Sequence, residues 1–113
     1  MTPLISFAKI AEEDPNFLDT DEWPDWQTQF GNHQPLKLEI GFGMGNFLIE
    51  MSAQEPKSNF IGMDFYHKGI RKLMTRIKKL QLENIRMAYG DVRFKVPLLF
   101  KDGELETVYI NFP

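Results

Sequence analysis

The most informative part of the 113-residue chain is Leu38-Glu39-Ile40-Gly41-Phe42-Gly43-Met44-Gly45-Asn46-Phe47-Leu48-Ile49-Glu50-Met51. Apolar residues alternate up to Ile40, which predicts a buried strand. Three alternating glycines follow at once, where a chain must reverse and where a ligand can approach the backbone. Apolar residues then recur with helical spacing from Met44 to Met51, which predicts a helix with one apolar face. The segment therefore predicts a strand, a glycine-rich turn and a helix, and such a turn presents backbone N–H groups at a helix N-terminus.

The spacing of the glycines distinguishes two nucleotide-binding classes. A dinucleotide site requires G-x-G-x-x-G, but Asn46 stands where the third glycine of that pattern would lie. This departure disfavours a dinucleotide oxidoreductase. Glu39 precedes the first glycine by two residues, and the pattern acid-x-G-x-G-x-G resembles the first motif of class I S-adenosylmethionine-dependent methyltransferases. A tight turn without a ligand is the alternative, although three such glycines each cost about 0.5–1 kcal/mol relative to alanine in regular structure.

Composition limits the class of protein. A chain of this length forms at most one domain, and 42% hydrophobic residues is typical of a globular protein. The chain has no cysteine, and its two histidines, His33 and His67, are far apart in sequence, so we expect no metal site. No apolar run is long enough to cross a membrane and no basic-then-apolar leader is present, so we expect a cytoplasmic protein without a membrane partner.

Charge is distributed unevenly along the chain. Residues 1–34 contain one basic residue and seven acids, together with several aromatic residues, whereas residues 35–113 contain twelve basic residues and nine acids. We interpret residues 1–34 as an irregular acidic and aromatic lead-in, in which the tryptophans fill the flank of a sheet. Residues 25–28 are predicted to form one helical turn. Residues 35–113 are predicted to form the cofactor-binding part of the domain.

Two later carboxylates are predicted to lie beside the glycine turn. Residues 59–63 form a second predicted strand that ends in Asp64, and residues 84–89 form a third that leads to Asp91. In a parallel sheet, ligands bind beyond the carboxyl ends of the strands. Asp64 is therefore a candidate acceptor for ribose hydroxyls, and Asp91 for an adenine amino group. The alternatives are a strand-end acid or helix cap at Asp64 and a local turn acid at Asp91.

The remaining pattern predicts the rest of a doubly wound parallel sheet. Residues 67–82 carry an apolar stripe and a basic stripe, which predicts a crossover helix whose basic face is either solvated or in contact with phosphate. Pro97 limits residues 93–100 to a short helix at most. Residues 108–112 form a fourth predicted strand.

Six segments in order resemble the tRNA (guanine-N7-)-methyltransferases: Phe30-Gly31-Asn32 with Pro35, residues 38–48, residues 60–64, residues 84–86, residues 90–92 and Ile110-Asn111-Phe112-Pro113. The resemblance implies a Rossmann-like class I methyltransferase fold with three α/β/α layers, S-adenosylmethionine as cofactor and tRNA as substrate. It also implies that the cofactor-binding residues are Glu39, Gly41, Gly43, Gly45, Asp64 and Asp91. Asp64 stands where the family usually has glutamate, which keeps a ribose acceptor with a shorter reach.

The sequence departs from the family after Pro113. There the family continues into Asp-Pro-Trp, a nearby lysine and three more strands, which supply most of the RNA site. We therefore expect a fold truncated after about the fourth strand that is inactive by itself, and we assign no catalytic residue. The exposed edge of the fourth strand favours a dimer. A class I methyltransferase for another substrate and a non-enzymatic nucleotide-binding module remain as alternatives.

Overall fold

A computed structural model of the chain describes residue 9 and residues 13–111. Strands and helices alternate through the described part. The strands are β1 (Phe17–Leu18), β2 (Leu36–Ile40), β3 (Asn59–Asp64), β4 (Ile85–Tyr89) and β5 (Leu105–Ile110). The helices are α1 (Trp26–Phe30), α2 (Asn46–Gln54), α3 (His67–Leu80) and α4 (Val92–Leu99). The predicted strand, glycine-rich turn and helix are confirmed as β2, the turn and α2.

The strands form one parallel sheet in the order β1-β4-β3-β2-β5. β2 lies between β3 and β5, with Leu38 opposite both Ile61 and Val108. Because all the strands run in the same direction, their carboxyl ends meet at one edge, where ligands bind in sheets of this kind. The ends of β2, β3 and β4, which carry the predicted site residues, are therefore neighbours.

Helices cover both faces of the sheet. On one face, α2 and α3 pack over a core that includes Leu48, Phe60 and Leu73. On the other face, α1 and α4 pack over a core that includes Leu38 and Leu99. Successive residues of a strand point to opposite faces, so β3 contributes side chains to both cores. The predicted three-layer α/β/α fold is confirmed.

Strand β1 was not predicted. Phe17 and Leu18 pair with Met87 and Ala88 of β4, and Phe17 is only 2% exposed. A strand of two residues is too short to show the alternation by which strands are recognised in a sequence. The described part therefore contains five strands, and the four predicted ones correspond to β2 to β5.

Trp26 fills the flank of the sheet, as predicted for the tryptophans. Its side chain is 1% exposed, its ring N–H donates to the carbonyl oxygen of Leu99 at 2.8 Å, and its ring stacks on Phe100 with centroids 5.2 Å apart. The side chain of Asp25 caps α1 by accepting the N–H of Thr28. The predicted helical turn is thus longer than expected and continues to Phe30.

Helices α2, α3 and α4 differ slightly from their predicted bounds, and α3 ends at Leu80 instead of residue 82. α2 begins at Asn46, two residues later than its apolar spacing indicated, because Gly45 at φ 86° forms its N-terminal cap. α4 contains Pro97 and has eight residues, which agrees with the short helix predicted there.

β5 lies at an edge of the sheet. It begins at Leu105, three residues before the predicted strand, and Phe112 and Pro113 lie outside the described residues. Val108 and Ile110 are 46% and 54% exposed. The dimer through this edge stays a prediction. Within the part that the structure describes, none of the helices combines the length and apolar character that a membrane span requires.

Candidate functional site

The glycine-rich turn connects β2 to α2 at the carboxyl edge of the sheet. Gly41, Gly43 and Gly45 have φ angles of 71°, 60° and 86°. Residues that have a Cβ atom are strained in this left-handed region, so the turn requires glycine at these positions. The N–H of Gly41 donates to the carbonyl oxygen of Met63 at 2.8 Å, which ties the turn to the end of β3.

The three glycines differ in their surroundings. A Cβ atom on Gly41 or Gly43 would enter open space. A Cβ atom on Gly45 would instead lie 2.6 Å from Cδ1 of Leu73 in α3. Gly41 and Gly43 therefore leave their backbone accessible to a ligand, whereas Gly45 allows α3 to pack closely against the turn. The sequence pattern predicts that a ligand approaches the backbone at all three glycines, whereas Gly45 is in contact with Leu73.

Helix α3 holds the glycine turn through residues that were not predicted. A Cβ atom on Gly69, in the first turn of α3, would overlap the carbonyl oxygen of Gly43. Farther along the helix, Arg76 donates to the carbonyl oxygen of Met44 at 3.3 Å and to Oδ1 of Asn46 at 2.6 Å. The sequence signal at Gly69 was a glycine within a helical pattern, which costs about 1 kcal/mol relative to alanine.

Asp64 ends β3, and its carboxylate organises the turn. Its Oδ2 accepts the N–H of Gly43 at 3.0 Å, and its Oδ1 accepts the N–H groups of Phe65 and Tyr66 at 2.8 Å and 3.1 Å. An ionised carboxylate has about four acceptor positions, so these three bonds leave about one for a ligand hydroxyl. The structure agrees with the predicted position of Asp64 beside the turn. It also shows a direct hydrogen bond from the N–H of Gly43 to Asp64, which was not predicted.

Glu39 is a buried carboxylate in β2, only 2% exposed. Its Oε2 accepts the side-chain N–H of Asn111 at 3.0 Å, and its Oε1 has no hydrogen-bond partner among the described residues. Burial raises the pKa of Glu39, and the nearby charge of Asp64 raises it further, whereas the bond from Asn111 acts in the opposite direction. A buried acceptor without a partner is costly, so Oε1 fits a donor supplied by a ligand.

We expect Glu39→Gln to increase the free energy of unfolding near neutral pH. Because the pKa of Glu39 is raised in the folded chain, the folded state binds more protons than the unfolded state as pH rises from the ordinary value of 4.5. The contribution of Glu39 to stability is therefore present at acidic pH and is lost as pH rises through its folded pKa. Glutamine does not titrate, and it keeps an oxygen for Asn111.

Urea unfolding at several pH values measures this effect. The advantage of Glu39→Gln over the unsubstituted chain should grow from about pH 4 upward and then level off. Glu50→Gln, at an exposed position of α2, is the matched control and should show no such trend. A stability difference that does not change with pH would contradict the burial effect.

Asp91 follows β4 and caps α4. Its Oδ1 accepts the backbone N–H of Arg93 at 3.0 Å, and its Oδ2 forms an ion pair with the Arg93 guanidinium at 2.7 Å. These interactions with Arg93 hold the pKa of Asp91 below its ordinary value. The structure thus shows the local role that the sequence left open, and a contact between Asp91 and the cofactor stays a prediction.

A cavity of about 90 Å³ at the carboxyl edge of the sheet brings together three of the six predicted site residues, whereas Glu39, Gly43 and Gly45 do not line it. Gly41, Asp64 and Asp91 line it together with apolar side chains that include Ile40 and Met63. Ligand pockets typically combine mostly apolar walls with a few polar groups. A larger cavity of about 410 Å³ lies where β2 and β3 begin, and none of the predicted site residues lines it.

A parallel sheet covered on both faces, with a glycine-rich turn at the carboxyl end of a central strand, defines the nucleotide-binding α/β class. The family model described as "Putative methyltransferase" matches residues 33–113. The chain belongs to this methyltransferase family, which confirms the class indicated by Glu39 and the three glycines.

Curated relatives match most of this chain but only part of their own length. A tRNA (guanine-N(7)-)-methyltransferase from Geobacter metallireducens is 39% identical over 107 residues, which cover 92% of this chain and 51% of the relative. A protein of the same name from Thermotoga maritima is 38% identical over 89 residues, which cover 79% of this chain and 28% of the relative. The chain spans about half of the first relative and less of the second. The resemblance inferred from the sequence is confirmed.

Solved structures of methyltransferases share the fold. A 30S ribosomal A1408 methyltransferase from an uncultured bacterium has a TM-score of 0.63 and 17% identity, over 79% of this chain and 43% of that one. PKMT2 from Rickettsia typhi in complex with AdoHcy has a TM-score of 0.57 and 18% identity, over 82% of this chain and 20% of that one. At these identities the similarity establishes the Rossmann-like fold alone.

Proposed function

We propose that the chain is the cofactor-binding part of an S-adenosylmethionine-dependent methyltransferase that acts on N7 of a guanine in tRNA. The observation that carries this proposal is the open backbone of Gly41 and Gly43 beside the carboxylate of Asp64. The names of the relatives support the substrate. In this proposal, residues 35–113 form the cofactor-binding part and residues 1–34 form an N-terminal lead-in. Because the proposed substrate is tRNA, we also propose that the protein acts in the cytoplasm.

The residues at this edge of the sheet fit S-adenosylmethionine. Glu39 has a buried oxygen without a partner, which suits a positively charged, hydrogen-bond-donating ligand. Asp64 keeps about one acceptor position, enough for a ribose hydroxyl. The apolar walls of the cavity that reaches Asp91 suit a flat base such as adenine.

Methyl transfer to guanine N7 requires placement more than proton transfer. When bound, S-adenosylmethionine supplies a methyl group on a positively charged sulfur. The N7 lone pair carries no proton, so the residues of this chain need not remove one. Their role is to bind and orient, and correct orientation of two reactants supplies roughly 7–11 kcal/mol. The glycine turn and Asp64 would hold the cofactor in a fixed position, and no described residue is assigned a catalytic role.

The product of the reaction distinguishes this proposal from its alternatives. The test uses unmodified tRNA and methyl-labelled cofactor with the protein from the complete reading frame, and in parallel with residues 1–113. We expect labelled 7-methylguanosine from the former and no transfer by residues 1–113 alone. Label in a different nucleotide would support a methyltransferase for another substrate. Cofactor binding without any transfer by the complete protein would support a non-enzymatic binding module.

Asp64→Ala is expected to weaken S-adenosylhomocysteine binding by about 1–3 kcal/mol, roughly 5- to 150-fold. The substitution removes the acceptor of the Gly43 N–H as well as the position left for a ribose hydroxyl. Titration calorimetry measures the affinity, and circular dichroism checks the fold. Asp64→Glu, which keeps a carboxylate, is the matched control and should retain most of the affinity. Unchanged affinity in a folded Asp64→Ala chain would limit Asp64 to a strand-end role.

A further inference from the structure

Helix α3 carries a row of exposed lysines that the cofactor site does not use. The helix contains six of the 13 basic residues of the chain and no acid. At 3.6 residues per turn, Lys68, Lys72 and Lys79 fall within about 40° of one another, roughly opposite the buried side chains of α3. All three are exposed, and we call them the lysine row. With a rise of 1.5 Å per residue, the row is about 17 Å long.

The lysine row forms no ion pair with the acids that the structure describes. Lys78, on the same helix, pairs with Asp14 at 3.3 Å, and Arg76 donates to the glycine turn. No ion pair within the described ranges of the chain includes a member of the lysine row. This is notable because acids outnumber basic residues in the whole chain, with a net charge of −3. The row is therefore a positive surface on an acidic protein.

Helix energetics alone do not explain the row. Basic residues stabilise the last turn of a helix, which accounts for Lys79. Lys68 is instead the second residue of α3, where the helix dipole disfavours a cation by about 0.3–1 kcal/mol. Lys68 and Lys72 also repel each other at i,i+4 spacing by about 0.2–0.5 kcal/mol. Two members of the row thus carry a stability cost, which a binding role would offset.

The row begins beside the candidate cofactor site. Lys68 is four residues beyond Asp64 and precedes Gly69, which contacts the carbonyl group of Gly43. From there the row continues along α3, whose Leu73 and Arg76 also contact the glycine turn. We propose that the lysine row binds the sugar-phosphate backbone of the RNA substrate beside the cofactor cleft. The inference rests on the proposed function and adds a surface for the RNA. Phosphate contacts of this kind set the position of a nucleic acid without reading its sequence.

The test compares the tRNA binding of two double variants of the 113-residue chain. Lys68→Gln/Lys72→Gln removes the part of the row nearest the cleft. Lys57→Gln/Lys101→Gln removes two exposed lysines near the starts of β3 and β5, at the opposite edge of the sheet. We expect the row variant to lose on the order of tenfold in tRNA affinity at about 50 mM salt, with a salt slope smaller by about 1.5–2. The control variant should match the unsubstituted chain.

Two further measurements separate the lysine row from the cofactor site. The row variant should keep its affinity for S-adenosylhomocysteine, and its melting temperature should be unchanged or slightly higher because a repulsion is removed. Failure of the unsubstituted chain to bind S-adenosylhomocysteine would overturn the proposed function itself. Equal tRNA affinity and salt slope in the row variant and the unsubstituted chain, an equal loss in the control variant, or no tRNA binding by the unsubstituted chain would overturn the role of the row.

Discussion

Gly69→Ala is expected to lower the free energy of unfolding by about 1–3 kcal/mol and to weaken S-adenosylhomocysteine binding tenfold or more. The added Cβ atom would overlap the carbonyl oxygen of Gly43. This oxygen belongs to the backbone and cannot rotate away, so either α3 or the glycine turn must move. In an unconstrained helix the same substitution would increase stability by about 1 kcal/mol. The sign of the change therefore reports on the contact between α3 and the turn.

Thr75→Ala, at an exposed position of the same helix, is the matched control. It should leave S-adenosylhomocysteine affinity unchanged and slightly increase stability, because alanine has the higher helix propensity. Urea unfolding and titration calorimetry on both variants provide the comparison. If Gly69→Ala is as stable as Thr75→Ala and binds equally well, α3 does not hold the turn in the way the structure indicates.

Gly43→Val is expected to weaken S-adenosylhomocysteine binding because its side chain would obstruct the space beside the turn. Gly43 has a φ of 60°, and a side chain at this position would project into open space beside the turn. If the cofactor occupies that space, the added bulk should cost about 1–3 kcal/mol in affinity, roughly 5- to 150-fold. Backbone strain adds about 1–2 kcal/mol of destabilisation, because valine rarely adopts a positive φ.

Gly103→Val separates strain from obstruction. Gly103 has a φ of 75° and also faces open space, but it lies in the turn between α4 and β5. Both variants should therefore lose similar stability, whereas only Gly43→Val should lose cofactor affinity. Normal affinity in a folded Gly43→Val chain would mean that the ligand does not approach this part of the backbone.

The part of the site that depends on local pattern could be predicted from the sequence. Alternating apolar residues and the glycines located β2 and its turn, and the next two strands placed Asp64 and Asp91 at their ends. Because parallel strands share one carboxyl edge, these residues were predicted to lie close together. Both aspartates and Gly41 line the cavity at that edge.

Contacts between distant residues could not be predicted in this way. The bond from Asn111 to Glu39 joins residues 72 positions apart, and it exists because β5 pairs beside β2. The doubly wound order predicted for the sheet places β5 beside β2, but it does not show which side chains of the two strands meet. The close approach of Gly69 to Gly43 likewise depends on how α3 packs against the turn. Both contacts follow from the arrangement of elements and not from any local motif.

Titration calorimetry of the 113-residue chain with S-adenosylhomocysteine, and separately with NAD, tests most directly whether this edge of the sheet binds the methyltransferase cofactor. Open glycines at the end of β2, a turn held by Asp64 and a buried oxygen of Glu39 without a partner all favour the first ligand. We expect saturable binding of one S-adenosylhomocysteine per chain and no measurable response to NAD. Saturable binding of NAD with no response to S-adenosylhomocysteine would contradict the assignment of the site.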